Sequence, residues 1–163
     1  MNLLFTGASG FLGYNVLPLL KKKYSVETIG LTSQDDYIVN LAAEIPKLAG
    51  KYDVILHVAG KAHSLPKTEA EKRLFFDVNL QGTKNLCTAL EQSGIPKSFI
   101  FISTVAVYGC DSGENITEEY PLNGTTPYAL SKIKAEKYLE EWCAMHNVKL
   151  SILRPSLIAG PNP

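Results

Sequence analysis

Apolar runs alternate with amphipathic stretches along the whole chain, and this alternation is the pattern of βαβ units wound around a parallel sheet. Candidate strands fall at 2–6, 25–31, 37–41, 53–58, 98–103 and 149–153. They are short and apolar throughout, as strands are when helices cover both faces of their sheet. Candidate helices lie between them at 11–23, 42–49, 69–93 and 127–146. Gly94, Ile95 and Pro96 stop the third of these, and Pro18 inside the first is expected to kink it. The expectation is an α/β fold, a doubly wound parallel sheet of the Rossmann type in three layers (α/β/α), with residues 1–163 forming one dinucleotide-binding domain.

Composition narrows the function classes. Of the 163 residues 45% are hydrophobic and 20% charged, which suits one globular domain with an ordinary core. Acidic and basic residues number 16 each, so no field of one sign draws in nucleic acid or an anionic membrane. Cys87, Cys110 and Cys143 are odd in number and lack a CxxC spacing, so neither a disulfide framework nor a metal site is expected. The first residues run straight into a strand, and no apolar run approaches the roughly 18 residues of a membrane span. A cytoplasmic protein is expected, with neither nucleic acid nor membrane as partner.

Thr6-Gly7-Ala8-Ser9-Gly10-Phe11-Leu12-Gly13 joins the first strand to the first helix. Gly7 permits a tight turn, Gly10 lets a pyrophosphate approach backbone N–H groups at the helix start, and Gly13 lets helix and strand pack closely. The turn as a whole, with Ser9, Phe11 and Leu12, is the expected phosphate site. An acidic residue usually ends the second strand and holds the ribose hydroxyls. Gly30 takes that place here, Thr32, Ser33, Asp35 and Asp36 follow, and no arginine awaits a 2'-phosphate, so the cofactor reads as NAD or NADP. Asn40, followed by Leu41, can bond an adenine edge or serve as a polar turn residue. Val58, Ala59 and Gly60 are small residues suited to letting backbone pass beside the adenosine. His57, between Leu56 and Val58, reads as a satisfied core histidine.

Ser103 and Thr104 end the fifth strand, where ligands bind in an open α/β sheet. Tyr128 and Lys132 open a helix with i,i+4 spacing and share one face of it.

Together with His57-Val58-Ala59-Gly60, Val78-Asn79-Leu80-Gln81-Gly82-Thr83, Ser103-Thr104-Val105-Ala106-Val107-Tyr108-Gly109, Tyr128-Ala129-Leu130-Ser131-Lys132 and Arg154-Pro155, the glycine turn gives a sequence that resembles the extended short-chain dehydrogenase/reductases, their NAD-dependent epimerase/dehydratase group in particular. The resemblance implies Tyr128 as the acid/base, Lys132 on the nicotinamide ribose and biasing the tyrosine, and Thr104 orienting the reacting oxygen. Ser103 would be secondary, Asn79 would support the site, and Pro155 would lie near the nicotinamide carboxamide. It also implies a homodimer through helices 69–93 and 127–146, and a nucleotide-sugar substrate. Bringing a tyrosine from a pKa near 10 to neutrality takes about 4 kcal/mol. One ammonium about 5 Å away supplies about 3 kcal/mol, so Tyr128 is expected to be a good base chiefly when oxidised cofactor adds its own positive charge.

Dehydratases of this group carry an acid and a base directly after the strand-end threonine, where this chain has Val105 and Ala106. A 4-epimerase is therefore expected, with a 4-keto or other carbonyl reductase as the second reading and a non-catalytic dinucleotide-binding sensor or scaffold as a third. The segment Ala59-Gly60-Lys61-Ala62-His63 resembles UDP-hexose and UDP-N-acetylhexosamine enzymes of surface polysaccharide synthesis, and Lys61 and His63 are candidate substrate contacts beside the alternative of a solvated loop. Family members continue past the Arg-Pro segment into a substrate-binding region, so the chain is expected to be truncated and to turn over sugar nucleotide poorly by itself.

Overall fold

The computed structural model describes residues 1–62, 65–110 and 112–161, leaving His63 outside the described residues. Six parallel strands form one sheet in the order β3-β2-β1-β4-β5-β6: β1 (Asn2–Thr6), β2 (Ser25–Gly30), β3 (Tyr37–Ile38), β4 (Val54–His57), β5 (Ser98–Ile102) and β6 (Lys149–Leu153). β1 lies in the middle, paired with β2 on one side and β4 on the other. The chain therefore leaves β1 in one direction and returns past it to build the other half. Right-handed crossovers then put the helix after β1 on one face and the helices after β4 and β5, which contact each other, on the other, and the reversal opens a crevice at the carboxyl end of β1.

The core follows from the apolar runs. Leu4, Ile55, Phe99 and Phe101 are inaccessible to solvent, and Leu86, Leu90, Leu139 and Trp142 cover them from the helices. Helix α1 (Phe11–Lys21) continues through Pro18, which comes so near its end that one missing donor does not stop it. The helix expected at 42–49 does not form. Asn40 instead closes a single turn, its carbonyl accepting from the backbone N–H groups of Ala43 and Glu44, and Pro46 prevents extension. The helix expected over 69–93 is one rod in three pieces: α2 (Glu69–Phe76), a π turn (Asp77–Gln81) and α3 (Gly82–Ser93). In the π turn the Gly82 N–H bonds to the Asp77 carbonyl five residues back. Gly94, at φ +138°, ends α3 as its position before Pro96 predicts. α4 (Pro127–His146) starts at Thr126, whose hydroxyl accepts from the Ala129 N–H, and ends at Asn147 in the left-handed region. Among the described residues no helix is long and apolar enough to cross a membrane.

Candidate functional site

The crevice at the end of β1 is a cleft of about 960 Å³. Its first wall is the glycine turn. Gly7 has φ +82°, and a Cβ there would stand 2.7 Å from the Ala59 backbone nitrogen, so only glycine lets β1 and β4 close up at this level. A Cβ on Gly13 would lie 2.3 Å from the Gly7 carbonyl oxygen, which makes that glycine the contact between helix and turn. Gly10 differs, since a Cβ on it would meet nothing nearer than the Gly7 oxygen at 3.5 Å and would project into open space. Gly10 is also the N-cap of α1, and no side chain bonds the first N–H groups of that helix. By contrast, Thr68 caps α2 and Thr126 caps α4. Uncapped donors and the positive end of the helix dipole thus face the cleft, ready for an anion. Ser9, Phe11 and Leu12 complete this wall.

His57 lies under the floor. Its Nδ1 is 2.7 Å from the Thr6 hydroxyl and its Nε2 2.9 Å from the Thr83 hydroxyl, and its ring stacks on Phe101. Burial pushes its pKa down to about 3, so it remains a neutral core residue, as its apolar neighbours predict. The Thr6 hydroxyl also accepts from the Ala59 N–H, fixing Val58, Ala59 and Gly60 along the cleft. Asn40 and Leu41 line the end beside β2. The Asn40 side-chain oxygen accepts from the Ala42 N–H, which is the turn role of the two readings of this residue.

The other end holds the hydroxyls. Thr104 leaves β5 and caps a short 3-10 turn (Val105–Tyr108). Its side chain lies beside Tyr128, the second residue of α4, whose ring also packs on Phe75. Burial raises the Tyr128 pKa and the neighbouring Thr104 hydroxyl opposes the rise. Lys132, one turn along α4, is 4% exposed. Its Nζ donates to the Ile102 carbonyl at 2.8 Å and lies over the Phe101 ring. Burial brings its pKa down to about 8, against the pull of the Glu136 carboxylate. In this arrangement desolvation governs the phenol and the ammonium is engaged by a backbone oxygen.

Two further residues gain partners. Ser103 lines the cleft and donates its hydroxyl to Glu136, a fully buried carboxylate that also binds Arg154 at 2.7 Å. Asn79 does not line the cleft. From the π turn its side chain bonds both the N–H and the C=O of Lys61 and the Ser131 hydroxyl, clamping the loop after β4. A Cβ on Gly60 would stand 3.1 Å from both Asn79 Oδ1 and Lys132 Nζ. Pro155 lines the cleft and its carbonyl accepts from the Val105 N–H. Residues 156–160 continue along the same cleft, a contribution that neither periodicity nor spacing reveals. Glu136 had a readable signal, an acid four residues after Lys132 on the same helix face. Among the described residues no group of three or more His, Cys, Asp or Glu side chains is placed to hold a metal.

Residues 3–163 match the model of the NAD dependent epimerase/dehydratase family. The chain is 33% identical over 169 residues to the N-acetyl-alpha-D-glucosaminyl-diphospho-ditrans,octacis-undecaprenol 4-epimerase of Escherichia coli O157:H7, covering 98% of the chain and 49% of that protein. It is 31% identical to UDP-glucose 4-epimerase of Vibrio cholerae over 98% of the chain and 52% of that protein. The crystal structure of Thermus thermophilus UDP-glucose 4-epimerase in complex with NAD superposes with a TM-score of 0.77 at 26% identity, covering 94% of the chain and 54% of that structure. The chain thus spans about half the length of the relatives it matches. With a match that runs over nearly every residue, the chain belongs to the NAD dependent epimerase/dehydratase family.

Proposed function

We propose that this protein is an NAD(P)-dependent sugar-nucleotide 4-epimerase. The observation that carries the reading is one cleft with an uncapped, glycine-lined helix start at one wall and Thr104, Tyr128 and buried Lys132 together at the other. The open space at Gly10 and the unsatisfied N–H groups of α1 fit a pyrophosphate, and the small residues 58–60 fit an adenosine laid along β4. Gly10 and its neighbours would hold NAD(P), which when bound supplies reversible hydride exchange.

The remaining chemistry belongs to the chain. Tyr128 exchanges a proton with the carbinol oxygen of the sugar, and Thr104, which lines the cleft with it, orients that oxygen. Lys132 donates to ribose hydroxyls, and its charge lowers the phenol once its hold on the Ile102 carbonyl is shared with ligand. Val105 and Ala106, which follow Thr104 in the 3-10 turn, carry no group able to move a proton, so water elimination lacks its acid and base. The relatives named 4-epimerases support the same choice. By family resemblance the α2–α3 rod and α4 pair two copies of the chain, which sedimentation would register as a two-chain mass.

The test uses UDP-glucose and UDP-N-acetylglucosamine with added NAD. Formation of the 4-epimer, followed by chromatography, without net change in nicotinamide absorbance is the expected result. Tyr128→Phe should lower turnover about 10³-fold or more while NAD affinity stays within about twofold, because the lost group handles a proton and not the dinucleotide. Net consumption of NAD(P)H would identify a reductase, and dinucleotide binding with no turnover by the intact protein on any sugar nucleotide would identify a sensor or scaffold.

A further inference from the structure

Gly30 ends β2 and lines the cleft at the position where an acid ordinarily meets the adenosine ribose. The space of its missing side chain is not empty. A Cβ built on Gly30 would lie 2.3 Å from Asp35 Oδ2, 2.5 Å from its Cγ and 2.6 Å from its Oδ1, so a carboxylate five residues later stands directly against the strand end, where a side chain at position 30 would begin. The loop that returns it is held at both ends. Asp35 Oδ2 accepts from the Thr32 N–H and hydroxyl, and the Asp35 N–H donates to the Thr32 carbonyl. Asp36 ties the next residue back onto β2 by accepting from the Thr28 N–H and hydroxyl. Asp35 is 8% exposed, and among the described residues its Oδ1 takes no hydrogen bond. The described cations that line the cleft, Lys61 and Lys132, belong to the opposite end, beside Phe75 and Ile102.

Resting on the dinucleotide reading above, we infer that Asp35 sets the choice of cofactor, accepting from a free ribose 2'-hydroxyl and repelling a 2'-phosphate, so that the protein takes NAD in preference to NADP. A hydroxyl can donate to the carboxylate, whereas a phosphate meets like charge with no described cation lining this end of the cleft to offset it.

Equilibrium binding of NAD and NADP to the purified protein, and to two variants, tests this. The parent should bind NAD at least about tenfold more tightly. Asp35→Asn keeps an acceptor for Thr32 and should cut the NAD/NADP ratio at least about fivefold, mainly by gained NADP affinity. The double variant Gly30→Asp/Asp35→Ser returns the acid to the strand and should restore the preference. Both cofactors bound equally by the parent, a parent that favours NADP, or an unchanged ratio in Asp35→Asn would overturn the inference and leave the dinucleotide reading standing. Binding of neither cofactor would overturn both.

Discussion

Lys132 is a cation held almost out of reach of water, with a carbonyl and an aromatic face as its nearest company. Its pKa in the fold is about 8, against 10.5 for an ordinary lysine. Because the folded pKa is the lower one, the unfolded chain binds the proton more tightly between these values, and stability rises as pH climbs from about 8 to 10.5. Below pH 8 the fold carries the whole penalty, about 3 kcal/mol. Lys132→Met is therefore expected to stabilise the protein at pH 7 by about 1–3 kcal/mol, after loss of the Ile102 bond is counted. The difference should fade by pH 10.5, as urea unfolding at several pH values would show. A variant no more stable than the parent at pH 7 would mean that the buried ammonium is fully compensated by its partners. Lys132 and Tyr128 stand out in the sequence by residue type and i,i+4 spacing, and Thr104 by its place at a strand end. Asp35 and Asn79 could be named there only without their partners, and the partners of Glu136 are likewise brought to it only by the fold.

The β1–α1 turn separates two jobs that its glycines share on paper. A methyl on Gly13 would press into the Gly7 and Ala8 carbonyl oxygens, backbone atoms that cannot swing aside, whereas a methyl on Gly10 would meet only open cleft. Gly13→Ala is expected to cost about 3 kcal/mol or more of stability, within the overpacking range or beyond it. Gly10→Ala should fold with its unfolding midpoint unchanged within about 1 kcal/mol and yet bind dinucleotide at least about tenfold more weakly. Chemical denaturation paired with calorimetric titration reads both, and normal affinity in Gly10→Ala would place the phosphates elsewhere. Strands were readable as elements because they are short, apolar and bounded by turn residues, and β6 matches its expected limits. The helix expected at 42–49 failed because Pro46 outweighs the apolar spacing around it. The π turn at Asp77–Gln81 left no mark in periodicity, since one wider turn shifts the apolar stripe too little to see, though it is what aims Asn79 at Lys61.

At the scale of the molecule the cleft draws on the ends of β1, β2, β4 and β5, the start of α4 and residues 155–160, so its walls come from nearly the full span of the chain. Such a site exists only when the sheet is assembled, and a ligand that bridges its walls stabilises the folded state without touching the unfolded one. At 100 times its dissociation constant that ligand adds about 2.7 kcal/mol. For a domain of this size about 2–4 °C of midpoint accompanies each kcal/mol, so NAD at that concentration is expected to raise the thermal midpoint by about 5–10 °C. Every wall named here lies within these residues, so the 163-residue chain should show the shift without any further segment. Gly10→Ala supplies the control, unfolding at the parental temperature without NAD and gaining much less from the same concentration of it. An equal gain in the variant would separate stabilisation from the glycine turn and assign the bound dinucleotide to another surface.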